Sequence, residues 1–372
     1  MGPWADLGTE SAANGLRIEE LALSEAVREL SADWPRFRDR AGTSPFLAPD
    51  YLALWARIVG GLDTCRIVTA RRGGELVGFG PFMLSDDPFG PFSVETLKFV
   101  GNNVGYPGDV LYSEVAAAES ESVRAILRHA ARWGATKWDF GYLPPTSRTH
   151  AAAHEVLGAP RNGVPLDRQP YVGLSLPPSW QAFLASLSSN ARRDFRRKSN
   201  RLSASGDVEV RVARSPEGAR AVVHRMIENH GRWSAGTDRA GWFGDERVGQ
   251  FLEEGATLLA GRGMFVGFTL EISGEQVAWN AGAFDGVRYF EQIMSYDRSF
   301  TLGSPGLVLG FLAVQRLIDL GTKKVELGPG FDQRKEALGA TLVEHERLQG
   351  YRGWARPIAA IHRRWRGRRF AS

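Results

Sequence analysis

One cysteine in 372 residues, Cys65, leaves no partner for an intrachain disulfide and no second thiol at metal-ligand spacing. A reducing compartment fits such a chain, and Cys65 reads as a buried strand residue of the core. Long apolar runs are missing as well. No stretch reaches the roughly 18 apolar residues that a membrane-spanning helix needs, and Met1 to Glu20 carries acids without the apolar middle of a signal peptide. The expected location is therefore the cytoplasm. An excess of one charge is also lacking: 46 Lys and Arg stand against 42 Asp and Glu, a formal charge of +4. What is present, 43% hydrophobic and 24% charged residues, is ordinary for a soluble protein and argues against disorder. The length exceeds that of one compact domain, so two domains with separate cores are expected.

A search for internal similarity organises the chain. Gly74-Glu75-Leu76-Val77 recurs as Gly274-Glu275-Gln276-Val277, each after a strand-like run (Arg66 to Ala70, Phe265 to Ile272), so each reads as a β-hairpin with a glycine turn. Further on, Gly134 to Gly141 resembles Gly321 to Gly328, with the glycines matching at both ends. Each of these follows a helical pattern. In the second, Leu307, Phe311, Val314 and Ile318 form one apolar stripe, and Gly321 supplies a C′ stop. Two matches in the same order, offset by about 190 to 200 residues, point to duplication. The repeated unit is meander, helix, strand, an α+β arrangement with helices on a mixed sheet.

The expected domains are residues 1–165, residues 166–350 and a basic tail at 351–372. The Gly- and Pro-rich segment from Leu157 to Pro178 is the expected crossover. After it, Trp180, Phe183 and Leu187 mark a short helix, and Ala191, Phe195 and Leu202 mark the buried side of another. A third helix runs from about Pro216 to Trp233, with Gly231 as its expected C-cap.

The stretch from Tyr289 to Gly310 is the most informative. A strand-like run to Tyr296 passes through a short loop into Ser304-Pro305-Gly306 and the striped helix. Strand, loop, helix binds anions, because the amides of a helix's first turn and the positive end of its dipole face the loop. Pro305 wastes no N–H there, and Gly306 lets a phosphate approach the backbone. The plainer alternative makes Ser304 an ordinary N-cap and Pro305 a helix starter. Shifting the motif by the offset of the second repeat pair lands on Ala117-Ala118-Glu119, where a carboxylate would repel a phosphate, so an anion site belongs to the second half. Gly306→Glu is accordingly expected to abolish donor binding and leave the fold intact.

Leu187 to Leu202 with Arg192-Arg193 and Arg196-Arg197-Lys198, then Arg232-Trp233, Ser295-Tyr296-Asp297, Ser304-Pro305-Gly306 and Gly328 to Lys335, resembles the GNAT-type acetyltransferases associated with bacterial cellulose biosynthesis, the CelD/BcsL group. The resemblance spans about residues 20 to 340. It implies two tandem GNAT-like units, each a mixed, mostly antiparallel central sheet flanked by helices, a fold also seen in Fem-type aminoacyl-tRNA-dependent peptidyltransferases. It implies acetyl-CoA or another acyl-CoA bound in the second unit, with Tyr296, Asp297, Ser304, Pro305, Gly306 and Leu307 holding pantetheine and pyrophosphate. One departure stands out: where relatives often carry Tyr-Lys after the last strand, this chain has Arg334-Lys335.

Direct acyl transfer from a thioester to an amine needs a neutral amine, a polarised carbonyl and protonation of the leaving thiolate; no covalent nucleophile and no metal are required. Glu291, Glu326 and His230 are the candidate bases, the two glutamates lying on successive strands. The alternative makes each glutamate a solvated strand residue. Lys335 could stabilise negative charge or grip a phosphate, or be a solvated helix lysine. Asp297 is expected to fix its loop through Ser299 and Thr301. Arg192, Arg196, His230 and Trp233 are the candidate contacts for the acceptor.

Two basic clusters remain. Arg192 to Arg201 presents two basic helix faces beside Phe195, suited to an anionic acceptor, a CoA phosphate or an RNA backbone, or simply solvated. In the tail, Trp354, Ile358, Ile361 and Trp365 make an apolar stripe among arginines, which fits docking on the protein itself, an anionic membrane or nucleic acid. The leading expectation is an acyl-CoA-dependent N-acyltransferase acting on an amine of a small polar acceptor. A Fem-like peptidyltransferase using charged tRNA and a non-catalytic module of the same fold are the alternatives.

Overall fold

The computed structural model describes residues 10–12, 15–41, 43–101, 108–113, 119–158, 167–234 and 245–357. The chain divides into two compact units, one formed by residues 1–43, 47–169 and 344–372, the other by residues 44–46 and 170–343. The first runs β1 (Glu10–Ala12), β2 (Leu16–Ala22), α1 (Leu23–Leu30), α2 (Trp34–Ala41), α3 (Pro49–Trp55), β3 (Cys65–Arg72), β4 (Glu75–Phe89), β5 (Phe92–Phe99), β6 (Leu111–Tyr112), α4 (Glu119–Ala131), β7 (Lys137–Leu143) and α5 (Arg148–Leu157). The second runs β8 (Arg168–Ser175), α6 (Trp180–Ser186), α7 (Ser189–Ser205), β9 (Val208–Ala213), α8 (Pro216–Ser234), α9 (Glu246–Gly261), β10 (Phe265–Ile272), β11 (Glu275–Phe284), β12 (Arg288–Tyr296), α10 (Pro305–Asp319), β13 (Lys324–Pro329) and α11 (Gln333–Ala337). Last comes β14 (Thr341–Tyr351), whose Glu346–Tyr351 stretch pairs with β7 of the first unit.

Strand order is β1-β2-β3-β4-β5-β7-β14 in the first unit and β8-β13-β12-β11-β10-β9 in the second. Each ladder is antiparallel apart from one parallel pair per unit, β5 with β7 and β12 with β13. The architecture is α+β, as the repeat implied. The expected crossover holds a strand: β8 pairs with β13 from Tyr171↔Pro329 to Ser175↔Lys324. Residues 159–166 of that segment lie outside the described residues.

The repeat recurs in backbone detail. Gly73 and Gly74 turn between β3 and β4 with φ of 57° and 83°, and Ser273 and Gly274 turn between β10 and β11 with φ of 49° and 84°. Two successive positive φ values make the hairpin turn whose twist matches the strands, which is why glycine recurs there. A register shift precedes each turn, at Ala70/Arg71 and at Leu270/Glu271. Gly134 and Gly321 after the helices have φ of 84° and 83°, and Gly141 and Gly328 have 70° and 72°.

At the end of α10 the amides of Gly321 and Thr322 reach Ile318 O and Leu317 O at 2.9 and 3.0 Å. That pair of bonds is the Schellman closure, so the expected stop at Gly321 holds. The expected stop at Gly231 does not: α8 continues through it to Ser234. Nothing lies within 4 Å of a Cβ placed at Gly231, so it costs helix propensity and no clash.

The second core gathers Leu307, Phe311, Val314 and Ile318 of α10 with Val266, Phe268 and Leu270 of β10. Every residue of β10 is buried, the pattern of a strand covered on both faces. Each such Leu or Phe contributes about 1.5–3 kcal/mol by leaving water. In the first unit Phe82, Phe99 and Phe140 stack at 4.6–6.0 Å. Cys65 is fully buried there, and burial pushes its thiol up to about 11, which leaves it inert.

Asp109 of the first unit is a buried carboxylate with no cationic partner among the described residues. It accepts from Val110 N at 2.8 Å and from Ser147 Oγ at 3.3 Å. Burial outweighs these bonds and raises its pKa to about 6. A raised carboxylate contributes stability below its unfolded pKa and loses it as pH rises through the folded value. Asp109→Asn is therefore expected to exceed the parent in stability at pH 7.5, by on the order of 2–3 kcal/mol. Urea unfolding should show the gap closing towards pH 4; a gap that does not change with pH contradicts this.

Candidate functional site

The antiparallel pairs β4/β5 and β11/β12 mark where the units differ. In the first unit β4 and β5 pair without interruption from Phe82↔Phe99 to Phe89↔Phe92. In the second, Ala281 pairs with Ile293 and Gly282 with Glu291, so Gln292 is an extra residue on β12. Such a bulge bends a strand and re-aims its side chains. Gly282 permits it, since a Cβ there would lie 2.1 Å from Phe290 O. Parallel pairing of β12 with β13 ends at Phe290↔Glu326, whereas β12 continues to Tyr296. A wedge opens between the strands at the foot of α10.

The loop from Asp297 to Ser304 leads from the end of β12 to the start of α10. Asp297 N donates to Val277 O at 2.9 Å, and Asp297 Oδ1 accepts from Ser299 N at 2.8 Å and Ser299 Oγ at 2.7 Å. The expected turn-fixing role of Asp297 is seen with Ser299; no such bond joins Thr301. Asn229 of α8, 1% exposed, donates from Nδ2 to Ser295 Oγ at 2.7 Å and Tyr296 O at 2.9 Å, pinning the end of β12.

Ser304 is not a side-chain N-cap. It stands in the left-handed region, φ 54° and ψ 70°, and makes no capping bond. Non-glycine residues held there cost about 1–3 kcal/mol and cluster at functional sites. Its carbonyl accepts from Leu307 N at 3.0 Å and Val308 N at 3.2 Å, so these two amides of the first turn are already used. Pro305 has no N–H. The amides of Thr301, Leu302, Gly303, Ser304 and Gly306 have no protein acceptor among the described residues. Successive amides around left-handed residues form an anion-binding concavity. The donors thus come mainly from the loop, where the sequence reading put them on the helix.

Gly306 has a different reason to be glycine. A Cβ there would meet Met294 Cε and Tyr296 Cδ1, both at 2.9 Å, so the start of α10 rests on the side chains of β12. Gly306→Glu would displace those side chains, and the expectation that it spares the fold is withdrawn. Gly303, with φ of 67°, faces α7: a Cβ would meet Leu202 Cδ2 at 2.5 Å and Lys198 O at 3.0 Å. Tyr296 is 44% exposed at the wedge, and Leu307 is buried.

Glu291 lies at the bulge, 7% exposed, held by Arg334 of α11 through Nη2 at 2.5 Å and Nη1 at 3.0 Å. Asn280 Nδ2 adds a bond at 2.6 Å, and Asn280 Oδ1 accepts from the Tyr289 hydroxyl at 2.6 Å. Both carboxylate oxygens accept hydrogen bonds from the protein, which ties Glu291 into a buried polar network. Arg334 is therefore one half of a buried ion pair. Sequence reasoning does not reach Asn280 and Tyr289, whose one signal is an asparagine inside the apolar run from Val277 to Phe284, and it notes Arg334 only as a departure from a family pattern.

Lys335 is 5% exposed, and its Nζ donates to Gly328 O at 3.4 Å, Pro329 O at 2.7 Å and Gly330 O at 2.9 Å. Three donors meet three carbonyls, which ties α11 to the end of β13 and leaves no proton for a phosphate. Burial lowers its pKa. It is neither a solvated lysine nor placed to grip a ligand. Glu326 pairs with Lys324 at 2.6 Å. His230 is half-buried; burial, then the charge of Arg298 on the loop, lowers its pKa and favours the neutral imidazole. Trp233 belongs to the last turn of α8, and its side chain lies outside the described residues.

The α7 cluster is largely committed. Arg192 Nη1 donates to Leu184 O, Ala185 O and Leu187 O at 3.2, 3.3 and 2.5 Å, capping α6. Asp194 takes Arg197, and Lys198 at 2.8 Å. Arg196 and Arg201 have no partner among the described residues. The tail stripe beyond Trp354, namely Ile358, Ile361 and Trp365, lies outside the described residues. Among those residues no cluster of three His, Cys, Asp or Glu could hold a metal, and no helix is long and apolar enough to cross a membrane.

Comparison with known proteins agrees with the fold. No curated protein matches the sequence. Among solved structures, the chain resembles a tandem GNAT protein from the clavulanic acid biosynthesis pathway at 15% identity and TM-score 0.50, covering 91% of this chain and 99% of that one. It resembles FemX at 12% identity and TM-score 0.58, covering 88% and 96%. It also resembles a conserved protein of unknown function from Bacteroides thetaiotaomicron at 13% identity and TM-score 0.51, covering 86% and 97%. Such identities speak to fold and not to substrate. The family model described as an acetyltransferase (GNAT) domain matches residues 189–336. The chain is a tandem GNAT fold, and the acetyltransferase match falls on its second unit.

Proposed function

We propose that the second unit binds acyl-CoA, with acetyl as the expected acyl group, and transfers the acyl group to an amine of a small polar acceptor by direct attack. The observation that carries this reading is the run of unpartnered amides from Thr301 to Gly306 at the mouth of the β12/β13 wedge. A pyrophosphate supplies the acceptors those donors lack. The wedge offers pantetheine the edge of β12 beyond Phe290, up to Tyr296. In this reading His230 takes the ammonium proton, because its surroundings favour the neutral imidazole beside the loop. Glu291 and Lys335 shape the site without touching substrate. The cytoplasmic location and the likeness to the CelD/BcsL group belong to the same reading.

A second reading, transfer from an aminoacyl-tRNA, draws on the unpartnered Arg196 and Arg201 of α7. It loses the cations that α6 and Asp194 occupy. A thermal-shift comparison separates the readings. Acetyl-CoA at about 100 times Kd is expected to add about 2.7 kcal/mol, several degrees in Tm. Salt-sensitive stabilisation by charged tRNA in place of this would favour the second reading. No shift with millimolar acetyl-CoA would leave a catalytically silent module of the fold.

A further inference from the structure

A cavity of about 420 Å³ opens between α6, α7, β9 and α10, lined by Trp180, Leu184, Arg192, Phe195, Arg196, Ser199, Ser203, Val208, Val308, Leu312 and Gln315. Its volume suits a small organic ligand. It is separate from the donor loop, because α10 turns different faces to the two. Gly306 and Gly310 face Met294, Tyr296 and Arg334. Val308, Leu312 and Gln315 line the cavity instead. At 3.6 residues per turn, Val308 points about 160° away from Gly306.

One side of the cavity is apolar and stiff. Trp180 stacks on Phe183 at 5.4 Å and meets Phe195 edge-on at 5.9 Å, while Phe195 stacks on Phe311 at 4.4 Å. The other side is cationic. Arg192, Arg196, Ser199 and Ser203 recur along one stripe of α7, and no lining residue is acidic. Arg192 is anchored through Nη1, and its Nε and Nη2 edge, the fork that matches a carboxylate, makes no bond among the described residues. Arg196 has no partner among the described residues. Ser199 Oγ is buried without a hydrogen-bond partner, a donor that the protein leaves unsatisfied.

We propose that this cavity is a second ligand site, selective for an anion with an apolar body: an aliphatic or aryl carboxylate or phosphate monoester. The aromatic wall takes the apolar body, and the fork of Arg192, Arg196 and the Ser199 hydroxyl take the anionic head. The site does not depend on the donor reading.

Calorimetric titration of the full chain with octanoate, octyl phosphate, octanol and octylammonium tests it. Both anions are expected to bind in the submillimolar range, and octanol and octylammonium at least about tenfold more weakly. Arg196→Ala is expected to weaken octanoate by about tenfold or more. Ser203→Trp, which fills the cavity from an exposed position, is expected to abolish binding with an unchanged melting temperature. Octanol binding as tightly as octanoate, an Arg196→Ala variant that binds like the parent, or no saturable binding of either anion overturns the proposal. A retained acetyl-CoA thermal shift in Ser203→Trp shows that loss of octanoate is not loss of fold.

Discussion

Leu302→Glu is expected to weaken acetyl-CoA binding by at least about tenfold while leaving the melting temperature within about 2 °C of the parent. Leu302 is 54% exposed, so its replacement disturbs no core. It lies inside the run of amides that donate to no protein group. A carboxylate there either repels the incoming pyrophosphate or folds back and takes the amides meant for it. Leu302→Gln has the same length without the charge and should retain most of the affinity. The pair therefore separates electrostatics from shape, which Gly306→Glu cannot do, because a side chain at 306 strikes Met294 and Tyr296. Equal affinity in the Glu variant would move the anion site away from this loop.

Arg334→Met is expected to destabilise the second unit by roughly 3–5 kcal/mol, because it strands a buried carboxylate. Glu291 is 7% exposed and Arg334 11%, so neither charge can turn to water without unpacking. Glu291→Leu with Arg334→Met should recover more than half of that loss, since both charges leave together; Asn280 Nδ2 then lacks its acceptor and limits the recovery. Chemical unfolding of the two singles and the double measures the coupling. The same set decides the chemistry. Glu291→Gln should lose stability yet keep kcat within about tenfold, whereas His230→Gln should keep stability and lose about 100-fold or more in rate. A stable, inactive Glu291→Gln would return the proton to Glu291.

Local signals in the sequence were reliable where backbone chemistry is local. Gly74 and Gly274 are required by left-handed turn positions, and the Leu307, Phe311, Val314, Ile318 stripe is required by a helix covered on its core side. Gly321 closes α10 through bonds to its own last turn. Gly231 carried the same letter and a different fate, because α8 packs on through it. The contacts around the candidate site were not legible. Glu291 and Arg334 are 43 residues apart, and nothing in either neighbourhood announces the other. Lys335 reads as a surface residue until α11 folds it onto the carbonyls of Gly328, Pro329 and Gly330. The bulge at Gln292 is a property of the β11/β12 register, which one strand cannot encode alone.

In the proposed function, backbone amides of the β12–α10 loop hold the phosphates of an acyl-CoA. A crystal structure of the chain with acetyl-CoA tests it most directly. The pyrophosphate oxygens are expected within about 3 Å of amides between Thr301 and Gly306, with the thioester beside β12 beyond Phe290. A nucleotide bound elsewhere, with these amides still facing water, would contradict it.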